Sequence, residues 1–259
     1  MGLRDYLRAR RDNKKADALM GLYDNPADPR GILRIDGVDP EHSFWHNFPN
    51  TDTFANVLQW QFKTAYDVDT TNAWTQVKSG IGSPDGLTVQ NLRGGYAKAV
   101  NGANDDDYYG YTSKYSVATL EALKLTWFQT QIMVKDVSEA DLFVGLMTPA
   151  ATTGIFDARV DSIGFYLVDG SGLLYCETNN TSTPTQASTG ITLEDSTVYK
   201  IGFVAVGVTV VYFYVNETYV KASIANIPTA ALAVAFGLRN GTGAANELSI
   251  NTINVGLER

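Results

Sequence analysis

Residues 123–134 read Leu-Lys-Leu-Thr-Trp-Phe-Gln-Thr-Gln-Ile-Met-Val, and apolar and polar side chains alternate through much of this stretch. Successive side chains of a β-strand point to opposite faces, so the pattern predicts a strand with one buried and one more exposed face. Turn residues such as Gly, Asn, Asp and Pro separate further apolar segments at short intervals on both sides of it. The stretch therefore predicts an all-β chain.

Short strands at this spacing are typical of an antiparallel β-sandwich of the jelly-roll type. Asn216 and Glu217 lie between two apolar runs and predict a hairpin turn. Residues 101–107 and 178–190 are predicted loops, the second being rich in Thr, Ser and Asn. Further strand candidates are Phe54–Ala65, Thr88–Leu92, Tyr96–Val100, Leu142–Met147, Ile163–Val168, Leu173–Thr178, Tyr199–Val206, Val208–Val215, Thr218–Ala222, Leu232–Arg239 and Leu248–Val255.

Composition limits the partners and the compartment. The 259 residues can bury a sizeable core, and the single cysteine, Cys176, excludes an internal disulfide and a paired-cysteine metal motif. The net charge of −8 disfavours nucleic acid and acidic membrane surfaces as partners. The basic start of the chain differs from a secretion signal, and the most apolar stretch, residues 201–215, is shorter than the roughly 20 residues of a membrane span. We therefore expect no nucleic-acid or membrane partner.

Residues 1–50 differ from the rest of the chain and predict an extended N-terminal arm ahead of a sandwich domain at 51–259. A helical period near the start predicts a short amphipathic helix, and the many Pro, Asp and Gly residues of 24–50 predict a segment that becomes ordered on another surface. His42 and His46 lack a third metal ligand nearby, so no metal site is predicted. The candidate contact residues of the arm are Leu3, Arg4, Tyr6, Leu7, Arg8, Arg10, Arg11, Trp45 and Phe48.

Two features of the predicted sandwich domain are candidates for a sugar or cation contact. Asp105, Asp106 and Asp107 are adjacent carboxylates, which suit a hard cation only where a shaped loop gathers about six to eight oxygens. Trp74 lies close to a turn, and an exposed indole ring is a platform on which a sugar can stack. A solvated turn and a core tryptophan are the alternatives for these residues.

The sequence holds no evident constellation of catalytic residues. A retaining glycosidase needs two carboxylates about 5 Å apart, and Glu177 stands alone on its predicted strand. Both histidines lie in the arm, away from the rigid scaffold that a Ser-His-Asp triad requires. The glycine-rich segments lack the lysine of a phosphate-binding loop. We therefore predict a protein that is not an enzyme and has no cofactor.

The strand pattern resembles that of structural proteins encoded beside the capsid genes of tailed bacteriophages. The similarity is carried by residues 125–146 and 161–165, and residues 212–220, 227–228 and 236–246 are similar to the lectin-like jelly-roll domains of such proteins. The resemblance implies a head decoration, or cement, protein that binds across joints of the assembled capsid. It also implies synthesis in the host cytoplasm, location on the capsid surface of the virion, the major capsid protein as partner, and a dimer or trimer.

The expected function is therefore non-enzymatic decoration and stabilisation of an assembled phage capsid. A protein that binds the assembled lattice and not the free subunits stabilises the lattice by mass action. The alternative is a carbohydrate-binding module or an adhesin of a phage tail or fibre, because such sandwiches hold sugar sites in their end loops. Selective sugar binding would favour the alternative.

Deletion of residues 1–48 tests the role of the arm. We expect the truncated chain to fold, because the predicted strands lie after residue 50, and to lose co-sedimentation with undecorated capsids, because the candidate anchors are gone. Circular dichroism of the truncated chain is the control for folding. Saturable capsid binding by the truncated chain would contradict the arm hypothesis.

Overall fold

The computed structural model describes residues 54–60, 73–78, 88–90, 96–149, 155–156, 159–168, 170–241 and 244–258, with the backbone alone for 54–60 and 88–90. These residues form two antiparallel sheets, which confirms the predicted all-β sandwich. The strands are β1 (Phe54–Trp60), β2 (Trp74–Lys78), β3 (Thr88–Gln90), β4 (Tyr96–Val100), β5 (Tyr108–Ser113), β6 (Leu125–Val134), β7 (Ala140–Met147), β8 (Ser162–Leu167), β9 (Leu173–Asn180), β10 (Thr183–Thr192), β11 (Tyr199–Val206), β12 (Val210–Val215), β13 (Thr218–Ser223), β14 (Ala233–Asn240), β15 (Glu247–Ile250) and β16 (Ile253–Glu258).

The two sheets differ in how their strands are ordered. The seven-stranded sheet has the order β10-β9-β8-β7-β14-β5-β2. The nine-stranded sheet begins β13-β12-β11-β6, and β6 then pairs with both β15 and β16. β15 continues to β4 and β3, whereas β16 continues to β1. The nine-stranded sheet therefore branches beside β6.

The core lies between the two sheets and is rich in aromatic side chains. Phe165 of the seven-stranded sheet meets Phe213 of the nine-stranded sheet edge to face, with ring centroids 5.4 Å apart. Phe128 and Phe203 stack at 5.3 Å on neighbouring strands. All four side chains are fully buried, and burial of one such side chain contributes about 1.5–3 kcal/mol. Packing of this layer stabilises a sandwich whose single cysteine is a buried free thiol.

Two hairpins are closed by two-residue turns in the left-handed region of φ. Asn216 and Glu217 have φ of 48° and 67°, which confirms the hairpin predicted there. Thr181 and Ser182 have φ of 52° and 63° and connect β9 to β10. Paired positive φ values are typical of type I′ turns, whose twist matches that of the flanking strands.

The predicted loop over residues 178–190 is wrong. β9 continues to Asn180, and β10 pairs along it with Gln186 opposite Glu177. Among the described residues β10 is an edge strand, and most of its side chains are exposed. A strand that buries little surface needs no alternation of apolar and polar residues, so the Thr-rich sequence of β10 resembled that of a loop. Threonine is β-branched, however, and β-branched residues favour extended backbone.

The other differences from the predicted elements are small. β2 was absent from the strand candidates, and the predicted strand Leu248–Val255 is divided into β15 and β16, whereas the loop over residues 101–107 is confirmed. The predicted arm, its helix and the boundary at residue 50 lie outside the described residues. None of the described segments forms an apolar helix of membrane-crossing length.

Glycine residues allow a short segment to pack directly on the outer face of the seven-stranded sheet, which is the face turned away from the other sheet. A Cβ atom on Gly110 would lie 2.8 Å from Ile155 Cδ1. A Cβ atom on Gly237, which pairs with Gly110, would lie 2.9 Å from Phe156 Cζ. The missing side chains therefore provide the space in which Ile155 and Phe156 rest.

Gly145→Ala tests the close approach of β7 and β8. A Cβ atom at residue 145 would overlap the carbonyl oxygen of Ile163 and lie 2.6 Å from Gly164 Cα. Because paired backbone in a sheet interior cannot move aside cheaply, we expect the free energy of unfolding to fall by about 3 kcal/mol in urea titrations.

Gly170→Ala is the control for this substitution. Nothing lies within 4 Å of a Cβ atom at Gly170, and its φ of +81° leaves only backbone strain, for which we expect about 1 kcal/mol. Equal losses for the two variants would contradict the proposed overlap at Gly145.

Candidate functional site

The outer face of the seven-stranded sheet carries aromatic and charged side chains. Because side chains alternate along a strand, the residues between the core positions of β7, β8 and β9 point to this face. They include Phe143, Tyr166, Tyr175 and Glu177, and Tyr166 stacks on Tyr175 with ring centroids 5.1 Å apart. An outer sheet face of this composition is a candidate binding surface.

Glu177 is a buried charge at the centre of this face, with 1% of its surface exposed. Arg159 donates two parallel hydrogen bonds to it, from Nε to Oε1 at 2.8 Å and from Nη2 to Oε2 at 2.9 Å. Ser162 Oγ and Gln186 Nε2 each donate to the same carboxylate at 2.7 Å. The carboxylate is thereby paired and hydrogen-bonded, as burial of a charge requires.

Arg159 also ties Ile155 and Phe156 to the sheet. Its Nη1 donates to the carbonyl oxygens of these two residues at 2.7 and 3.2 Å. The guanidinium carbon lies 4.7 Å from the ring centroid of Phe143 and 5.7 Å from that of Tyr166. Cation–π contacts of this kind contribute about 0.5–2 kcal/mol. One arginine therefore fixes a carboxylate, two carbonyl groups and two aromatic rings relative to one another.

The surroundings of Glu177 determine the protonation states on this face. Burial raises the pKa of the Glu177 carboxyl, but the hydrogen bonds and charge of Arg159, with further bonds from Gln186 and Ser162, outweigh it and leave the pKa below its usual range. Burial and the nearby Glu177 charge raise the pKa of Tyr166 to about 12. At neutral pH Glu177 is therefore ionised, and the Tyr166 hydroxyl is a hydrogen-bond donor rather than a base.

A second ion pair lies on the same face. Arg239 on β14 donates to Asp141 Oδ2 on β7, from Nε at 2.8 Å and from Nη2 at 2.6 Å. The guanidinium carbon of Arg239 lies 5.6 Å from the ring centroid of Phe156, and Asp106 approaches the guanidinium at 3.8 Å. The side chains of Arg239 and Asp141 are 23% and 17% exposed, so a ligand can reach both.

Members of both ion pairs line an open cleft of about 280 Å³, which we call the Arg239 cleft. Its lining combines two aromatic rings, two guanidinium groups, a carboxylate and an amide with aliphatic side chains. Hydrogen-bonding groups beside aromatic rings suit a ligand that offers both hydroxyl groups and an apolar face. The lining residues are Asp141, Leu142, Phe156, Arg159, Tyr166, Leu167, Val168, Gln186 and Arg239.

Glu177 and Asp141 are too far apart to act together on one glycosidic bond. Glu177 on β9 pairs with Gly164 on β8, and Gly164 pairs with Gly145 on β7, so Glu177 and Gly145 lie at the same height in the sheet. Asp141 lies four residues away from Gly145 along β7. At about 3.4 Å per residue the backbone positions of Glu177 and Asp141 are about 14 Å apart along the strand direction. The carboxyl pairs of glycoside hydrolases are separated by about 5 to 9.5 Å.

Trp74, a predicted sugar contact, lies in the core. Its side chain is fully buried, and its ring packs against Phe236 and Tyr111 with centroid distances of 5.4 and 6.5 Å. The ring therefore has no accessible face on which a sugar could stack. Trp74 begins β2, and the strand directs its side chain toward the opposite sheet. The position of Trp74 beside a turn in the sequence did not indicate this direction.

The three predicted aspartates diverge. Asp107 is buried and accepts hydrogen bonds from the backbone N and side-chain Nδ2 of Asn104, at 3.3 and 3.0 Å. Asp105 and Asp106 are exposed, and Asp106 adjoins the Arg239 cleft through its approach to Arg239. In the described part of the chain no group of three or more His, Cys, Asp or Glu side chains is placed to hold a metal ion.

The predicted capsid contacts, from Leu3 to Phe48, lie outside the described residues. Capsid binding, the major capsid protein as partner, a dimer or trimer, and a location on the virion therefore stay predictions.

Sequence reasoning missed the outward-facing residues of the seven-stranded sheet, both around Glu177 and in the Arg239 cleft. Phe143 and Tyr166 stand in strands that are apolar on both faces, so alternation does not separate their outward positions from the core positions. Arg159 is 18 residues from its partner Glu177 and lies outside the strands. The available signal was Glu177 itself, because a charge within an apolar strand needs a partner from elsewhere in the fold.

Comparisons with known proteins identify the fold. No protein-family model matches the chain, and no curated protein matches its sequence. A prokaryotic β-1,3-1,4-glucanase (lichenase) from a mouse hindgut metagenome matches at 10% identity and a TM-score of 0.55, over 77% of this chain and 98% of that chain. The alginate lyase AlyC3 matches at 10% identity and a TM-score of 0.53, over 73% and 91%.

A third structure comes from work on botulinum neurotoxin type C, whose cell entry depends on interaction with two ganglioside molecules. It matches at 10% identity and a TM-score of 0.52, over 80% of this chain and 48% of that chain. These likenesses confirm the lectin-like jelly-roll fold, and none of them identifies a phage decoration protein.

The prediction that the chain is not an enzyme is contradicted by the same comparisons. A glucanase and an alginate lyase share this fold, so the fold gives no ground for excluding catalysis. At about one residue in ten identical, the likeness establishes the fold and not an activity. The sequence argument failed because it sought a catalytic pair within single strands, whereas a sheet face gathers side chains from strands far apart in sequence.

Glu177→Gln tests the charge at the centre of the face. The amide leaves Arg159 without a counter-charge, so we expect the free energy of unfolding to fall by about 3–5 kcal/mol at neutral pH. Because the folded-state pKa of Glu177 is lowered, its contribution is present above the ordinary carboxyl pKa and is lost as the pH falls through the folded-state pKa. The difference between wild type and variant should therefore narrow below about pH 4 in urea titrations.

Glu247→Gln is the matched control. Glu247 pairs with Lys98 on the outer face of the nine-stranded sheet, where both side chains are partly exposed, and its loss should cost less than about 1 kcal/mol. A deficit for Glu177→Gln that is as small as that of the control, or that does not change with pH, would contradict the role of the buried charge.

Proposed function

We propose that the chain binds a glycan in the Arg239 cleft. The observation that carries the proposal is the lining, in which two arginines, each paired with a carboxylate, accompany the partly exposed ring of Phe156 and the edge of the nearly buried Tyr166. Sugar rings place apolar faces against aromatic rings and hydroxyl groups against planar polar side chains. The shared fold of a glucanase, an alginate lyase and a ganglioside-dependent toxin supports this class of ligand.

The side chains of the cleft are fixed by the protein itself. Glu177 holds Arg159, and Asp141 holds Arg239. Side chains that already occupy one rotamer lose less conformational entropy when a ligand binds. The cleft is therefore preorganised for a ligand whose affinity comes from several weak contacts.

The charges of the cleft favour neutral sugars. Each of the two arginines is balanced by a carboxylate, Arg159 by Glu177 and Arg239 by Asp141. A polyanion would have to compete with these carboxylates for the guanidinium groups. A sugar hydroxyl can instead donate to the exposed side of Asp141 without breaking the ion pair.

Asp141→Asn in the full chain tests the proposal, with β-1,3-1,4-glucan, alginate and ganglioside oligosaccharides as probes in calorimetry. We expect saturable binding of the neutral β-1,3-1,4-glucan by the wild type, and weaker binding of the polyanion alginate. The variant keeps the shape of the side chain and removes its charge, so we expect binding to weaken about tenfold or more, since a hydrogen bond to a charged group contributes about 1.5–3 kcal/mol. Glu247→Gln, at the ion pair on the other sheet, should bind as the wild type does.

Two outcomes would change the proposal. If none of the probes binds, or if Asp141→Asn binds as tightly as the wild type, the Arg239 cleft is not a glycan site. If product analysis of the same incubations detects cleaved probe that Asp141→Asn does not produce, the cleft is an active site rather than a binding site.

A further inference from the structure

The nine-stranded sheet has an irregularity on the opposite side of the sandwich from the Arg239 cleft. β6 pairs with β15, where Ile250 lies opposite Ile132, and then with β16, where Asn254 lies opposite Gln129. Between these two pairs the chain advances four residues from Ile250 to Asn254, but only three residues from Ile132 back to Gln129 on β6. The extra residue defines a β-bulge, a feature that re-aims side chains and is frequent beside binding sites.

Asn251 and Thr252 form the bulge and are held by local hydrogen bonds. The backbone N of Asn251 donates to the carbonyl oxygen of Gln131 at 2.9 Å, and its Nδ2 donates to Gln131 Oε1 at 3.3 Å. The Tyr96 hydroxyl donates to the same Oε1 at 3.2 Å. The backbone N of Thr252 donates to Asn251 Oδ1 at 2.6 Å. The amides of Gln131 and Asn251 are therefore paired by the protein itself.

A cleft of about 140 Å³ lies beside the bulge, and we call it the Gln129 cleft. Its lining is polar and, apart from one lysine, uncharged. That lysine, Lys200, donates from Nζ to Glu217 Oε1 at 2.8 Å, which balances its charge. The lining residues are Gln129, Thr130, Gln131, Lys200, Asn251, Thr252 and Asn254.

Gln129 differs from the other amides of this lining. It is 8% exposed, and its buried Oε1 atom has no hydrogen-bond partner among the residues that the structure describes. Buried amide oxygens are nearly always bonded, and the neighbouring amides follow that rule. The terminal torsion of a glutamine side chain is broad, so rotation of the Gln129 amide can present this unpaired acceptor to a donor group on a ligand in the cleft.

We infer that the Gln129 cleft is a second binding site, which takes one uncharged sugar residue whose hydroxyl group donates to Gln129 Oε1. The volume equals that of about five water molecules at roughly 30 Å³ each and is below the roughly 300 Å³ of sites for drug-sized ligands. One sugar ring therefore matches the size of the cleft. The balanced charge of Lys200 favours a neutral ligand. The inference is independent of the Arg239 cleft, which lies on the other sheet.

Titration of the ¹⁵N-labelled full chain with glucose, galactose, mannose or N-acetylglucosamine tests the inference by nuclear magnetic resonance. We expect the side-chain amide signal of Gln129, assigned by its loss in Gln129→Leu, to shift saturably with at least one of the four sugars. Gln129→Leu keeps the approximate size of the side chain and removes the acceptor. The affinity of the variant for that sugar, followed at the Asn251 amide, should fall at least tenfold. The Gln129 signal reports this cleft alone, so failure of glycan binding in the Arg239 cleft leaves the test intact.

Thermal unfolding distinguishes a ligand-binding amide from one that supports the fold. Without sugar, Gln129→Leu should raise Tm, because it removes an unpaired buried polar group. The matched control is Gln76→Leu on β2, where Gln76 Nε2 donates to the Tyr109 hydroxyl. That variant should lower Tm and leave the sugar affinity unchanged. A lower Tm for Gln129→Leu, or a Gln129 signal that none of the four sugars shifts, would overturn the inference.

Discussion

Burial of the Glu177 carboxylate determines how the side chains on the outer face of the seven-stranded sheet are arranged. A carboxylate that is shielded from water needs donors, and Arg159, Ser162 and Gln186 supply them. Arg159 in turn holds the carbonyl groups of the Ile155–Phe156 segment, which rests where Gly110 and Gly237 leave space. The buried charge of Glu177 on β9 thus holds β10, through Gln186, and the Ile155–Phe156 segment, through Arg159, together in one surface.

The two outer faces of the sandwich form polar clefts by different means. On the seven-stranded sheet, ion pairs fix the side chains around the Arg239 cleft, and each charge is balanced by the protein. On the nine-stranded sheet, a β-bulge creates the Gln129 cleft, and amides rather than charges line it. Both clefts take most of their hydrogen-bonding groups from strands, which hold them more rigidly than loops do.

The sequence predicted the strands in which apolar and polar residues alternate. It missed the features that depend on contacts between residues far apart in the chain. β6 was predicted because one of its faces is buried against the other sheet, whereas β10 was missed because an edge strand buries little. Trp74 was a candidate sugar contact because its neighbours favour a turn, yet its strand turns it inward, which was the alternative. The pairing of Arg159 with Glu177 depends on the sheet register and therefore has no signature in local spacing.

The branching of the nine-stranded sheet beside β6 affects how the chain folds during synthesis. β15 and β16 complete one side of β6, and they are made long after it, at residues 247–258. Until then β6 presents an unpaired edge that can pair with other chains. Loops of this length are also slow to close, because the chain loses conformational entropy before the strand pairing can compensate for that loss. Protection of this nascent edge is therefore a requirement for folding that the stability of the finished sandwich does not meet.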